Sequence, residues 1–276
     1  MGAAIVVEPC YGVGVSGPNS PMPRTLRAHA RWLSAGPAPA LVIHPDAPGE
    51  ERPRPALLWM HGRTAFKEMD NGRYLRLLRA GIATVAIDLP GHGERANPPL
   101  QESERTMEVI DGMLRELPAV LRALAALPGL DATRMAIGGM SLGGMVTLAA
   151  LCRAHTFRAA VVEATTGDWT HLTGTQHDPA RSDAMEPARH LDRWHPVPLL
   201  AIHAQLDEWI RIEWQRTFLE RVRAVNADRP IELLEFPRTG APHEHIGFGT
   251  FGPQAKDACT AFLQRWLTPE PVSPPR

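Results

Sequence analysis

The chain has 276 residues, of which 44% are apolar, enough for a substantial core in one large domain or two small ones. Its 29 basic and 30 acidic side chains nearly cancel. Phosphate backbones and anionic membrane surfaces select a strong positive charge, so this balance argues against both. We therefore expect neither nucleic acid nor a membrane as a partner, and the composition leaves a homo-oligomer possible.

The cysteines and the first residues bear on the cellular compartment. Cys10, Cys152 and Cys259 lie far apart and cannot all pair, so we expect no disulfide framework. The first residues have no basic flank and only a short apolar run, unlike a signal peptide. No stretch elsewhere approaches a membrane-spanning length of apolar residues. These features predict a soluble, cytoplasmic protein.

The two ends differ in composition from the middle of the chain. Gly, Pro and Ser crowd residues 8–25, and the last residues are rich in Pro. This predicts irregular segments at 1–24 and 268–276 around one ordered domain at 25–267. A first pair of strands is predicted within residues 25–44.

Short apolar runs then alternate with longer helical patterns. This alternation is typical of the α/β class, in which a mainly parallel sheet carries helices on both faces. Each run is short and apolar enough to form a strand buried on both faces. The predicted strands span residues 56–60, 84–87, 134–137, 159–162, 199–203 and 231–236.

The helical patterns and one irregular segment fill the remaining sequence. Apolar residues from Met107 to Leu124 recur at three- and four-residue spacing, and Pro118 suggests a kink or a fresh start within that helix. Two later helices are predicted at 216–225 and 255–267. The segment at about 165–195 is polar, rich in His and weakly periodic, so a short cap is predicted there between two strands.

Ser141 lies in the sequence Gly-Met-Ser-Leu-Gly, between a predicted strand and a predicted helix. A tight strand-to-helix turn strains the backbone of its central residue, and side chains two positions away would collide with neighbouring elements unless they were small. The first amides of the following helix point towards the place where an oxyanion would form. This pattern predicts Ser141 as a nucleophile.

Several further motifs accompany this serine in a fixed order. The stretches at 58–63, 86–93, 139–143, 203–207 and 243–245 together resemble the α/β-hydrolase superfamily, and more narrowly its esterases and dienelactone-hydrolase-like members. The resemblance implies the α/β-hydrolase fold, with a doubly wound, mostly parallel sheet and a short cap. The resemblance also implies that residues 25–267 form a catalytic domain.

A serine hydroxyl needs a general base, and the base needs a carboxylate that fixes its tautomer, in the chain order Ser, acid, His. Asp207 follows a predicted strand after a short loop and resembles the family's acid, although Ala204 stands where the family usually has Gly. Glu163 and Asp168 are the alternative acids, because some superfamily members carry the acid after the preceding strand.

The base is expected in the loop after the last strand, which contains His243 and His245. We favour His245, because small and aromatic residues lead from it into the final helix, as in the family. His243 stays open as the alternative. The His-Glu-His sequence does not have the spacing of a helical zinc motif, so neither a metal nor another cofactor is expected.

Two backbone N–H groups are expected to form the oxyanion hole. They belong to Leu142, next to the nucleophile, and to Arg63, which follows His61-Gly62 at the end of a neighbouring strand. His61 is interpreted as orienting that loop.

The predicted function is hydrolysis of a small carboxylic ester through an acyl-enzyme, with a small acyl compound as the substrate. A thioesterase, lactonase, peptidase or acyltransferase with the same triad is the alternative, because fold and triad do not select the leaving group. A non-catalytic ligand-binding relative of the fold is the alternative from a different class. Trp169, Trp194 and Trp209 are candidates either for an apolar acyl pocket or for packing.

Overall fold

A computed structural model describes residues 16–172 and 179–268 of the chain. Three stretches lie outside the described residues. They are residues 1–15 of the predicted irregular segment, residues 173–178 of the predicted cap, and residues 269–276 of the predicted tail. The division into a domain, a cap and two ends therefore stays a prediction.

In the described part of the chain, eight strands form one sheet in the order β1-β2-β4-β3-β5-β6-β7-β8. The strands β1 and β2 pair antiparallel, β2 also pairs antiparallel with β4, and the remaining pairs are parallel. The mainly parallel sheet that the alternating pattern predicts is thus confirmed. In chain order the strands are β1 Ala30–Ala35, β2 Ala38–Ile43, β3 Arg54–Met60, β4 Ala83–Ile87, β5 Leu130–Met140, β6 Ala159–Glu163, β7 Leu199–Ala204 and β8 Ile231–Phe236.

The helices cover both faces of this sheet. Apolar residues of α1, α2 and α7 pack in the core on one face, and those of α3, α4, α5 and α6 pack in the core on the other. The helices are α1 Arg24–Arg27, α2 Asn71–Arg79, α3 Thr106–Ala125, α4 Leu142–Leu151, α5 Pro179–Met185, α6 Ile212–Arg223 and α7 Gly252–Leu267. In the described parts of the chain, no helix is both long and apolar enough to span a bilayer.

The structure differs from the sequence predictions at β8 and at Pro118. The strand β8 is only partly buried, because it lies at the edge of the sheet and has β7 as its one neighbour. Its Glu232 and Glu235 bind arginines on α7 and α6. A fresh start at Pro118 is also wrong, since α3 continues through it with a buried apolar face on both sides of the proline. That packing offsets the one backbone hydrogen bond that proline removes.

The segment between β6 and β7 contains α5 and two short 3₁₀ turns. Trp169 and Trp194 are buried there, with exposed fractions of 2% and 6%. The indole of Trp169 donates to the carbonyl of Thr166, and that of Trp194 donates to Asn226. Both rings belong to the hydrophobic core on one face of the sheet, so packing, rather than an acyl pocket, accounts for them.

Candidate active site

Ser141 lies on the turn between β5 and α4, at the carboxyl end of the central strands. Its φ of 50° and ψ of −114° belong to a region that non-glycine residues seldom adopt. Its N–H donates to the carbonyl of Glu163 at 2.8 Å, and its own carbonyl accepts from the Thr165 hydroxyl at 3.0 Å. The end of β6 therefore holds the strained serine in place.

The glycines around Ser141 make this turn sterically possible. A Cβ atom at Gly139 would lie 2.3 Å from the backbone of Gly143, and one at Gly143 would lie 2.2 Å from the carbonyl oxygen of Met60. A Cβ at Gly144 would lie 2.6 Å from Thr165. These distances are shorter than any real Cβ contact, so the predicted need for small residues is confirmed.

The structure brings together the serine, histidine and aspartate that the sequence selects. His245 Nε2 lies 2.9 Å from Ser141 Oγ, and His245 Nδ1 lies 2.7 Å from Asp207 Oδ2. Because the carboxylate can only accept, Nδ1 carries the proton and Nε2 is free to accept from the serine hydroxyl. Residues separated by 104 and 38 positions in the sequence thus form one hydrogen-bonded chain.

Asp207 is buried and accepts several hydrogen bonds besides that of His245. Its Oδ1 accepts the N–H groups of Trp209 and Ile210, each at 2.9 Å. His203 Nε2 donates to the carbonyl of Ile210 at 2.7 Å and lies 3.4 Å from Asp207 Oδ2. Burial raises the pKa of Asp207, but the hydrogen bonds from His203 and His245 outweigh it and lower the pKa to about 2. Asp207 is therefore a carboxylate at neutral pH.

His243 lies apart from Ser141. Its side chain is largely exposed, with Nδ1 at 3.4 Å from Glu208 Oε2. Its ring stacks on Trp209 with centroids 5.2 Å apart, and Trp209 in turn contacts His245 at 4.7 Å. Trp209 thus contacts both histidines, and of the two only His245 is within hydrogen-bond distance of Ser141.

The alternative acids Glu163 and Asp168 bind other groups. The Glu163 carboxylate accepts from the buried Arg73 guanidinium at 2.7 Å. Asp168 accepts the N–H and the hydroxyl of Thr170 in its own loop. Neither has a hydrogen bond with His245 in the described structure. Within residues 16–172 and 179–268, no group of three or more His, Cys, Asp or Glu side chains could hold a metal ion.

The two predicted oxyanion donors lie on either side of the turn. Leu142 is the first residue of α4, and Arg63 follows the loop at the end of β3. No hydrogen bond from the backbone N–H of either residue is present among the described residues. A Cβ at Gly62 would lie 3.6 Å from Ser141 Cβ, so this loop passes close to the serine. The backbone of Gly62 does not need the left-handed conformation that only glycine adopts easily.

His61 orients the loop that carries Arg63. Its Nε2 accepts the N–H of Leu89 at 3.1 Å, so its Nδ1 bears the proton and donates to the carbonyl of Gly62 at 2.7 Å. Burial, and then the nearby His92, lower the pKa of His61 to about 3. The imidazole is therefore neutral, and its position agrees with the orienting role expected from the sequence.

Sequence reasoning missed the contact of His203 with Asp207. In the sequence, His203 is the last residue of a predicted strand and part of a family motif, and a histidine inside an apolar strand gives no local signal of its partner. Its position four residues before the acid, at the end of a buried strand, was the one available indication.

Known proteins resemble this chain both in fold and in sequence. Residues 71–270 match the prolyl oligopeptidase family. Esterase YjfP of Escherichia coli (strain K12) is 22% identical over 244 residues, which cover 82% of this chain and 95% of the esterase.

Two solved structures illustrate the fold. TT1662 from Thermus thermophilus has a TM-score of 0.72 and 23% identity, over 87% of this chain and 98% of that one. A puromycin-hydrolyzing peptidase from Mycobacterium tuberculosis has a TM-score of 0.70 and 21% identity, and the match covers 92% of this chain but 42% of the peptidase. The chain has the α/β-hydrolase fold and belongs to the prolyl oligopeptidase family of serine hydrolases.

Proposed function

We propose that this protein hydrolyses a small carboxylic ester, with Ser141 as nucleophile, His245 as general base and Asp207 as the carboxylate that orients His245. The observation that carries the proposal is the hydrogen-bonded chain from Asp207 through His245 to Ser141. It starts at a buried carboxylate and ends at a strained turn that carries a partly exposed serine.

The geometry supports a two-step reaction. His245 Nε2 takes the hydroxyl proton as Ser141 Oγ attacks the ester carbonyl carbon, and the imidazolium that forms is stabilised by Asp207. The imidazolium then protonates the leaving alcohol, and an acyl-enzyme remains. A water molecule deprotonated by His245 attacks the acyl-enzyme, and the carboxylic acid and free Ser141 are released.

The negative charge that develops on the carbonyl oxygen during the attack needs N–H donors that do not already bond another acceptor. The backbone N–H groups of Leu142 and Arg63 meet this condition in the described structure and flank Ser141 from two elements. Loss of one such donor costs about 10² to 10³ in turnover in comparable enzymes. We assign these two groups to the oxyanion hole.

Hydrolysis of a peptide bond is the second candidate. It is favoured by membership of the prolyl oligopeptidase family and by the similarity to the puromycin-hydrolyzing peptidase. The ester is favoured because the E. coli esterase matches over 95% of its own length. The match to the peptidase leaves more than half of that protein without a counterpart.

A labelling and turnover experiment tests the nucleophile. A fluorophosphonate probe is expected to label the purified protein but not the Ser141→Ala variant. Labelling that persists in the variant would show that another residue reacts. On a p-nitrophenyl ester, His245→Ala should lower turnover by about 10⁴-fold or more, whereas His243→Ala should stay within a few-fold of the unaltered protein.

Matched acyl compounds separate the two candidate activities. An aminoacyl ester and the amide of the same amino acid present identical acyl groups and differ only in the leaving group. We expect kcat/KM for the ester to exceed that for the amide by a larger factor than the intrinsic reactivities of the two compounds differ. Comparable values of kcat/KM for the two compounds would favour the peptidase.

A further inference from the structure

A cavity of about 160 Å³ lies beside the nucleophile, between the loop after β3, α2, α7 and the loop after His245. Its wall includes Met140, the residue before Ser141, and Gly62, where a Cβ would lie 3.6 Å from Ser141 Cβ. Gly247, two residues after His245, also lines it. The cavity is therefore lined by close sequence neighbours of Ser141 and His245, and residues 164–172 and 179–198 between β6 and β7 do not line it.

The wall of this cavity is mostly apolar and rich in aromatic rings, namely Trp59, Phe66, Tyr74 and Phe248. A protein cavity of about 150 Å³ lined by apolar side chains is known to bind benzene. Aromatic walls favour a flat apolar group through stacked or edge-to-face contacts. Size and chemistry thus both match a group the size of one aromatic ring.

Four charged side chains line the rest of the cavity, and their formal charges cancel. The guanidinium of Arg73 binds Asp70 and Glu163, each at 2.7 Å, and lies 3.8 Å over the ring of Trp59. Lys256 Nζ lies 3.6 Å from Asp70. With two carboxylates set against two cations, the cavity offers no net attraction to a charged substrate group. A neutral group is therefore favoured.

We propose that this cavity is a substrate subsite that takes a neutral apolar group of about one aromatic ring. The inference rests on the proposed function and names its substrate class, esters that carry such a ring next to the scissile bond. The ring could belong to either side of the ester, and two isomeric substrates distinguish the sides.

The first experiment compares three esters on the purified protein, with acid release followed by titration at constant pH. Benzyl acetate carries the ring on its alcohol, methyl phenylacetate is an isomer with the ring on its acyl group, and ethyl acetate has no ring. We expect kcat/KM for one ring-bearing isomer to exceed that for ethyl acetate by at least about 10-fold. Equal values for all three esters would overturn the subsite.

A matched pair of variants tests the cavity itself. Ala255 of α7 is buried in its wall, so Ala255→Leu should fill part of the space, whereas Ala261 of the same helix is exposed. We expect Ala255→Leu to lower the preference for the ring-bearing ester over ethyl acetate by about 10-fold or more. Ala261→Leu should keep the preference of the unaltered protein. An unchanged preference in soluble Ala255→Leu would contradict the proposal.

A third variant covers the case in which Ala255→Leu does not fold. Phe66→Ala removes one aromatic wall, and it should shift the preference from a benzyl or phenylacetyl group towards the larger naphthyl analogue. No shift would count against the subsite. Unchanged substrate preferences would overturn the subsite alone. The proposed function would fail in a different way, because no ester would be hydrolysed and the fluorophosphonate probe would not label Ser141.

Discussion

Two imidazoles face the same carboxylate oxygen of Asp207. His245 Nδ1 lies 2.7 Å from Oδ2, and Nε2 of the fully buried His203 lies 3.4 Å from it. The N–H of His203 also fixes the carbonyl of Ile210, whose own N–H bonds Oδ1. His203 is thus placed to fix the orientation of Asp207 and to stabilise its negative charge.

Replacing His203 with Met is expected to lower kcat by about 10- to 100-fold with little change in KM, because a misplaced orienting group costs rate without removing a substrate contact. Loss of the N–H donor also raises the pKa of Asp207 and leaves His245 as the one imidazole beside the negative charge of Asp207. An Asp207 carboxylate with one donor fewer attracts positive charge more strongly, so we expect the acid limb of the kcat/KM profile to move to higher pH. The measurement is a pH–rate profile on a p-nitrophenyl ester.

His203→Gln is the matched control for this prediction, because its amide N–H can occupy the position of Nε2. It should keep the acid limb near that of the unaltered protein and recover most of the rate. Equal losses in both variants, with an unmoved acid limb, would mean that His203 serves only to fill the core.

At the scale of elements, sequence patterns located the strands but not all of their limits. The predicted run at 231–236 coincides with β8 at both ends. The strand β5 begins at Leu130, four residues before its predicted start, since Asp131 and Thr133 obscure the apolar pattern there. Pairing of Leu130 with Arg54 of β3 extends the strand, and such cross-strand pairing is invisible in a local window.

Contact between β3 and α4 gives a prediction of stability. A Cβ at Gly143 would lie 2.2 Å from the Met60 carbonyl oxygen, whereas a Cβ at Gly62 has room at 3.6 Å. Helix propensity alone would make Gly143→Ala stabilising by about 1 kcal/mol. We expect the clash to prevail and to lower the free energy of unfolding by about 1–3 kcal/mol in urea titrations. Gly62→Ala should be nearly neutral, and equal stability of the two variants would refute the clash.

At the scale of the whole molecule, motifs and their order in the sequence predicted the residues of the proposed triad. Their proximity depends on the parallel strand order β5-β6-β7-β8, which brings the loops after β5, β7 and β8 to one edge of the sheet. Buried pairs between distant elements could not be predicted in this way. Arg73 and Glu163 are 90 residues apart, and each alone is an ordinary charged residue in the sequence. Both side chains line the cavity beside Ser141.

Buried histidines predict how the stability of the whole molecule depends on pH. Burial is the main cause that lowers the pKa of His61 to about 3, and burial followed by the neighbouring His195 lowers that of His155 to about 4. In the unfolded chain both titrate near 6.5. Between pH 6.5 and 4 the unfolded state therefore binds protons that the folded state does not, so stability falls as the pH falls.

Each of these two histidines contributes a slope of at most about 1.4 kcal/mol per pH unit in this window. Asp207 adds nothing to the slope in this window. Its pKa is lowered in the folded state, so its contribution to stability is fully present above pH 3.8 and is lost only at more acidic pH. Thermal unfolding measured from pH 8 to 4.5 should show the decline. His155→Asn keeps an acceptor for the Phe157 N–H and should flatten the curve, whereas His171→Asn at an exposed site should not. Parallel curves for the two variants would show that protonation of His155 is not coupled to unfolding.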